Sequence, residues 1–295
     1  MAFKSWFRGG GGAAPPEIDD LIVLERYEEA EGRLRARLKN QPNDLHAHLK
    51  LADVLMHTHQ VAKAIDEYVF VAEEYADDGF YDKGIALLAK VQKLLPDDGT
   101  LRGRIQRLQR KKRLELSQAL AIEGLLEGQG ITGHAAGGAV LEFQRLWKRI
   151  EGSSLVERLD AEQLKRLFTA FHLRRASAGD VLAEQGESRE EAWLLADGEV
   201  AAQARLADGR ALQIRSFGPG DLIGERALLE RRRWPARYQA VTEVTALGLG
   251  RQGLEKSLAG NPDPRAFLDV LRSQGHDREV EQTIGRMGGR SPAPA

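Results

Sequence analysis

The spacing of apolar residues changes along the chain, and this change limits the possible folds more than any other feature. Over residues 17–120, apolar residues recur at intervals of three and four, the period of an amphipathic helix. Between Val181 and Leu249 they form short runs separated by turn sequences such as Asp197-Gly198 and Gly218–Asp221. We therefore expect a multidomain α and β protein, with helices in its N-terminal part and strands in its C-terminal part.

Glycine and proline clusters set the predicted domain boundaries. Gly9–Gly12 and the prolines that follow them favour a disordered tail. Gly128, Gly130, Gly133, Gly137 and Gly138 lie within eleven residues and favour a flexible linker. The predicted segments are a tail at 1–16, a helical domain at 17–127, a linker at 128–139, a second domain at 140–287 and a tail at 288–295.

Composition excludes several classes of protein. A formal net charge of −1 gives no global field that would attract nucleic acid or an anionic membrane. The chain has no cysteine, which excludes disulfides and thiolate chemistry. No apolar run approaches the ~20 residues that span a bilayer, and Met1–Arg8 lacks a signal-peptide core. We expect a cytoplasmic protein without a transmembrane segment. Phe3, Trp6 and Phe7 are either part of the disordered start or a short docking motif.

No constellation of catalytic or metal-binding residues is present in the sequence. His46, His48, His57 and His59 form two His-x-His pairs, but residues i and i+2 of a helix do not face each other. No nucleophile elbow, phosphate-binding loop or zinc-protease motif occurs. The sequence predicts a protein that is not an enzyme, with no catalytic residue, no metal ligand and no cofactor.

The helical part resembles the tetratricopeptide repeat family over about residues 18–98. The best copy has the apolar and small residues of that repeat at Tyr68, Val71-Ala72, Tyr75, Gly79, Tyr81, Gly84, Leu88, Val91 and Pro96. It departs at Gly84, where the pattern has alanine. The resemblance implies stacked helical hairpins with a groove for a peptide or helix of a protein partner. The alternative is a helical bundle that only dimerises or spaces other domains. The sequence predicts a further, basic helix over Leu101–Leu126. Its basic side chains either form a solvated surface or contact nucleic acid or a membrane.

The C-terminal part resembles the cyclic-nucleotide-binding superfamily from about Ser154 to Met287. The resemblance is carried by Gly218–Leu229 and Pro235–Val241, which are similar to that superfamily's phosphate-binding cassette, and by Ala178–Val181, Glu184–Glu187 and Leu195–Val200 upstream. The superfamily includes catabolite activator proteins and regulatory subunits of cyclic-AMP-dependent kinase. The resemblance implies a β-roll, jelly-roll-like and flanked by helices.

The same resemblance implies the site residues. Glu225 would accept the ribose hydroxyl, Arg237 would pair with the cyclic phosphate, and Gly224 would let the backbone approach the ligand. The amides that would line the anion belong to Arg226, Ala227 and Tyr238. The sequence departs from the family at Tyr238, which is bulky, and at Arg226, which replaces an apolar residue.

Three interpretations of this cassette remain open at this point. It binds cyclic AMP or cyclic GMP in a modified way, it binds a larger anion such as a cyclic dinucleotide, or it is a degenerate pocket in which Glu225 and Arg237 form an internal ion pair. No recognition helix fits after Met287, which disfavours a DNA-binding regulator. The leading hypothesis is a bacterial signalling adaptor that binds a protein partner and senses a nucleotide. The alternative is a structural scaffold that binds none.

Overall fold

The computed structural model describes residues 16–132, 135–205 and 211–287. The chain forms two compact units, one ending at Lys112 and the other beginning at Arg113. The N-terminal segment with Phe3, Trp6 and Phe7, the linker residues Gly133 and His134, and the C-terminal tail lie outside the described residues. Among the helices that are described, none is both long and apolar enough to cross a membrane.

The first unit consists of consecutive helices that pack against their neighbours. They are α1 (Ile18–Val23), α2 (Tyr27–Asn40), α3 (Leu45–His57), α4 (Val61–Asp77), α5 (Tyr81–Leu94) and the start of α6 (Gly99–Gln129). Leu34, Leu55, Tyr68 and Leu88 are among the residues of their shared core. A hydrogen bond also joins α3 to α5, which are not consecutive helices: Nζ of Lys90 in α5 donates to Oδ1 of Asp53 in α3 at 3.0 Å. The unit is a layered helical stack, and its membership of the tetratricopeptide family stays a prediction.

Gly84 is required by helix packing. A Cβ atom at this position would lie 2.6 Å from the carbonyl oxygen of Ala72 in α4 and 3.3 Å from Leu108 in α6. Alanine, which the repeat pattern has here, would therefore force these helices apart.

The boundary between the units differs from the predicted linker at 128–139. Helix α6 runs through Gly124 and Gly128 to Gln129. A Cβ on Gly128 would lie 2.1 Å from the carbonyl oxygen of Thr169, and one on Gly124 would lie 2.4 Å from that of Lys165. Gly124 and Gly128 therefore serve close packing against α9 (Ala161–Ala170), which carries Lys165 and Thr169.

The second unit contains a β-sandwich with flanking helices. The helices that precede it are α7 (Ala135–Ile150), α8 (Ser154–Arg158) and α9 (Ala161–Ala170). The strands are β1 (His172–Ala176), β2 (Val181–Ala183), β3 (Glu191–Asp197), β4 (Val200–Arg205), β5 (Ala211–Phe217), β6 (Leu222–Ile223), β7 (Arg237–Ala240) and β8 (Val244–Gly250). Two antiparallel four-stranded sheets have the orders β1-β8-β3-β6 and β2-β7-β4-β5. The predicted combination of an N-terminal helical part and a C-terminal part with strands is confirmed, and the strands form a sandwich. The more specific prediction of a jelly-roll-like β-roll stays a prediction.

Strand β3 contributes side chains to the cores on both faces of its sheet, because successive side chains of a strand point to opposite sides. Trp193 and Leu195 belong to the core between the sheets, whereas Leu194 belongs to the core that also contains Trp147 and Phe168. Four helices complete the unit: α10 (Glu225–Glu230), α11 (Arg251–Leu258), α12 (Pro264–Arg272) and α13 (His276–Arg286). Helix α10 lies between β6 and β7 and contacts both α12 and α13.

Candidate functional site

The predicted cassette begins where β6 turns into α10. Gly224 makes this turn with φ +80°, a left-handed conformation that favours glycine. A Cβ atom here would lie 2.4 Å from Cη2 of Trp234 and 2.6 Å from the carbonyl oxygen of Glu191. The turn therefore needs glycine for its backbone angle and for the space that Trp234 takes.

Two aromatic side chains fill the interior beside the cassette. Trp234 and Tyr238 are both 0% exposed, and their ring centroids lie 4.9 Å apart in an edge-to-face arrangement. The indole N–H of Trp234 donates to the carbonyl oxygen of Arg189 at 3.1 Å. The ring of Phe217 also stacks on that of Tyr238, with the ring centroids 5.9 Å apart. The space beside the turn at Gly224 is thus filled by the protein's own core.

A carboxylate from α13 lies on two amides of the cassette, and one of them, that of Arg226, was predicted to hold a phosphate. Oδ1 of Asp277 accepts from the amide of Gly224, and Oδ2 accepts from the amide of Arg226, both at 3.2 Å. The phenol of Tyr238 donates to Oδ1 at 2.9 Å. Because Asp277 is fully buried, it acts as an internal anion for this turn. We call the amides of Gly224 and Arg226 with the Tyr238 hydroxyl the anion cradle.

Glu225 of α10 makes a reciprocal contact, in which its side chain accepts a hydrogen bond from the backbone of α13. Its Oε1 accepts from the amide of Asp277 at 2.9 Å, and its Oε2 has no hydrogen-bond partner among the described residues. The side chain is only 2% exposed. The predicted ribose acceptor is therefore buried against α13.

The pKa values of the two buried carboxyl groups are both raised. Burial, and then the neighbouring Asp277 carboxylate, raise the pKa of Glu225 well above its ordinary value. Burial also raises the pKa of Asp277, while hydrogen bonds from Tyr238 and the two amides favour its ionised form. We assign the negative charge to Asp277 and the proton to Glu225. Burial, with Asp277 next to the hydroxyl, likewise raises the pKa of Tyr238 and keeps it protonated.

Arg237 lies on the opposite side of β7 from the anion cradle. Tyr238 points into the sandwich, so its neighbour Arg237 points outward. Among the described residues its ion-pair partner is Glu184, with Nε and Oε1 3.8 Å apart. The structure thus brings together Gly224, Glu225, the Arg226 amide and Tyr238 but not Arg237. The internal ion pair between Glu225 and Arg237 is not formed.

The other two predicted residues have structural contacts. The Arg226 guanidinium binds Glu230 at 2.8 Å and also pairs with Glu281 of α13. Ala227 is buried in the core between the sheets. The described residues include no group of three or more metal-ligating side chains that could hold an ion.

Sequence reasoning missed Asp277 and Trp234. Asp277 is 52 residues from Glu225 along the chain, in the first turn of α13, where an acidic residue is ordinarily explained by the helix dipole. Trp234 follows three consecutive arginines, and nothing in that local sequence indicates a core residue. The bulk of Tyr238 was the one sequence signal that pointed to a filled hollow.

Comparisons with known proteins assign the β-sandwich to a domain family. Residues 173–261 match the cyclic nucleotide-binding domain model. The regulatory subunit of cAMP-dependent protein kinase from Emericella nidulans is 28% identical over 109 residues, 37% of this chain and 26% of that protein. A CRP-like cAMP-activated global transcriptional regulator from Mycobacterium tuberculosis is 26% identical over 85 residues, 29% of this chain and 38% of that protein. The chain thus spans between a quarter and two fifths of the length of these curated relatives.

Solved structures are similar over the same part of the chain. The N-terminal domain of a Streptomyces coelicolor transcriptional regulator is 27% identical with a TM-score of 0.39, and the match covers 47% of this chain and 94% of that one. A regulatory subunit of a cAMP-independent protein kinase A from Trypanosoma cruzi, bound to guanosine, is 26% identical with a TM-score of 0.41, covering 51% and 53%. On the family match, residues 173–261 of this chain are a cyclic nucleotide-binding domain.

Proposed function

We propose that this chain is a non-enzymatic bacterial signalling adaptor of the cytoplasm, in which the helical unit binds a protein partner. In this proposal the cyclic nucleotide-binding domain is a folded docking domain whose cassette takes neither cyclic AMP nor cyclic GMP. One observation carries the proposal: Asp277 already lies on the anion cradle, beside a hollow that Trp234 and Tyr238 fill. The curated relatives named above are regulatory proteins, which supports a signalling role.

The free energy of emptying the cassette argues against an ordinary nucleotide site. A ligand phosphate would have to replace three hydrogen bonds to Asp277, each worth about 1 kcal/mol net. At 1.4 kcal/mol for each tenfold change, this alone weakens binding by about 100-fold. Moving Trp234 or Tyr238 out of the core would cost more, since burial of one large apolar side chain contributes about 1.5–3 kcal/mol.

An exposed aromatic cluster on the helical unit supports a protein contact. Phe80, at the start of α5, is 52% exposed. The Lys83 ammonium lies 4.5 Å from its ring centroid and 5.2 Å from that of Tyr75. Aromatic side chains are enriched among the residues that dominate binding energy at protein interfaces. We expect Phe80→Ala to remove partners that cross-link to the wild type, while Leu141→Ala, at an exposed leucine of the second unit, should not.

A second candidate function is nucleotide sensing through displacement of α13. It is favoured by the unpartnered Oε2 of Glu225, since two carboxyl groups buried together make this contact less stable than a fully paired one. In this alternative, cyclic AMP, cyclic GMP or a cyclic dinucleotide replaces Asp277 and releases α13.

Calorimetry separates the two candidates. Cyclic AMP, cyclic GMP and cyclic diguanylate are titrated into the wild type, into Asp277→Ala and into Asp269→Ala, which changes an exposed acid on α12. The adaptor proposal expects no saturable binding to the cassette of the wild type or of Asp269→Ala. Saturable binding to the wild type that persists when Arg272 and Arg278, two exposed arginines outside the cassette, are both changed to alanine would overturn it and support displacement of α13. Binding that appears only in Asp277→Ala would show that Asp277 blocks the cassette, as the adaptor proposal holds.

A further inference from the structure

A second cavity lies on the other face of α10, between that helix and α12–α13. Its volume is about 340 Å³. Arg226, Leu229 and Glu230 share this face of α10 at the i, i+3 and i+4 spacing. Ala227 and Leu228 face the core instead. The remaining lining residues are Glu225, Arg272, Gly275 and Arg278.

Three arginines from three different helices line this cavity, and two of them are available to an anion. Arg226 is held by its two carboxylate partners. The carboxylate partner of Arg272 is Asp269 at 3.4 Å, and both side chains are more than half exposed, so that this ion pair contributes little. Arg278 has no ion-pair partner among the described residues. Two guanidinium groups can therefore bind a ligand without breaking a strong contact.

Glu225 adds a polar group of a different kind. Its side chain is buried, and its Oε2 lacks a hydrogen-bond partner in the described part of the chain. A buried polar atom without a partner is unfavourable, so a ligand group that reached Oε2 would remove part of that cost.

These features match the chemistry of a phosphate group. Arginine binds phosphate through two parallel N–H donors, and Arg272 and Arg278 supply such donors from two helices. The volume lies at the lower end of the ~300–1,000 Å³ typical of ligand pockets. Leu229 and the alkyl stems of the arginines supply apolar wall for an organic portion.

We propose that this cavity is a binding site for a small organic phosphate, held by the guanidinium groups of Arg272 and Arg278 beside the carboxyl group of Glu225. The site does not require Asp277 to leave the anion cradle, so the inference is independent of the proposed function. A bound phosphate would join α10 to α12 and α13, and would stabilise the folded domain by linkage.

The test measures binding of two probes, inorganic phosphate and adenosine monophosphate, by calorimetry and by the shift in melting temperature. The proteins are the full-length wild type, Arg272→Ala/Arg278→Ala and the control Arg265→Ala/Arg286→Ala. The control removes two arginines from the same helices α12 and α13, outside the cavity lining. All four arginines are exposed, so both variants should fold.

We expect adenosine monophosphate to bind the wild type and to raise its melting temperature. The cavity variant should bind at least about tenfold more weakly, because it loses two charge-assisted contacts, whereas the control should bind as the wild type does. Binding that is absent at millimolar probe, or equal in the two double variants, would overturn the proposal. A ligand in the cassette would depend on Asp277→Ala and not on Arg272 and Arg278, which separates this result from the test of the adaptor.

Discussion

Replacing Gly224 with alanine tests whether the hollow beside the cassette is filled. Gly224 has φ +80°, and an L-residue in the left-handed region costs about 1–2 kcal/mol. Its new Cβ would also meet Trp234 at 2.4 Å, and overpacking of a core costs typically about 1–3 kcal/mol. The expected total is a loss of about 2–5 kcal/mol in the free energy of unfolding.

Gly179 provides a matched control. It has φ +92° and no atom within 4 Å of an added Cβ, so Gly179→Ala carries the backbone cost alone. The difference between the two variants, about 1–3 kcal/mol, isolates the contacts of the new Cβ with Trp234 and with the carbonyl oxygen of Glu191. Combining Gly224→Ala with Trp234→Phe removes the far ring of the indole and should recover part of this difference.

Chemical denaturation followed by far-UV circular dichroism measures these free energies. Three of the four tryptophans, Trp147, Trp193 and Trp234, belong to the second unit, so tryptophan fluorescence in a Trp6→Phe background reports that unit separately. If Gly224→Ala and Gly179→Ala were equally destabilising, Trp234 would not fill the space beside the turn. The argument against a nucleotide in the cassette would then fail.

Two further predictions concern helix packing and pH. Gly84→Ala should lower the free energy of unfolding by about 1–3 kcal/mol, because its Cβ would meet the carbonyl oxygen of Ala72. Gly103→Ala should raise it by up to about 1 kcal/mol, because no atom lies within 4 Å of the added Cβ and alanine favours the helix. Urea denaturation that ranks the two variants the other way would contradict the packing at Gly84. The raised pKa of Glu225 means that its contribution to stability is present below its ordinary value of 4.5 and is lost as the pH rises through the raised pKa. The stability of the wild type relative to Glu225→Gln should therefore fall with rising pH, and a difference that is independent of pH would show that Glu225 is not protonated in the folded state.

The elements of the second unit were predictable because local signals agree with the fold. The Asp-Gly and Gly-Pro-Gly turns separate the strands as expected, and Ser153 and Asp160 cap α8 and α9 through their side chains. Gly224, which the sequence analysis marked as a position of close backbone approach, makes the turn into α10. These features depend on neighbours in the sequence, which a pattern can reveal.

The contents of the cassette depend on residues that are distant in sequence. Gly128 suggested a flexible linker, but in the fold it is a packing residue, because the backbone of Thr169 lies against it. Arg237 has the residue type of a phosphate ligand, but the register of β7 turns it away from the core. Asp277 could not be identified because only the folded arrangement brings α13 to the turn at Gly224.

The central claim is that the Asp277 carboxylate occupies the anion cradle. Hydrogen exchange of the Gly224 and Arg226 amides, resolved by NMR, tests it most directly, with Asp277→Ala compared with the wild type. We predict that both amides are protected in the wild type and lose protection in the variant, while amides of the core strand β3 stay protected. Equal exchange of the two amides in both proteins would show that Asp277 does not bind them, and would contradict the account.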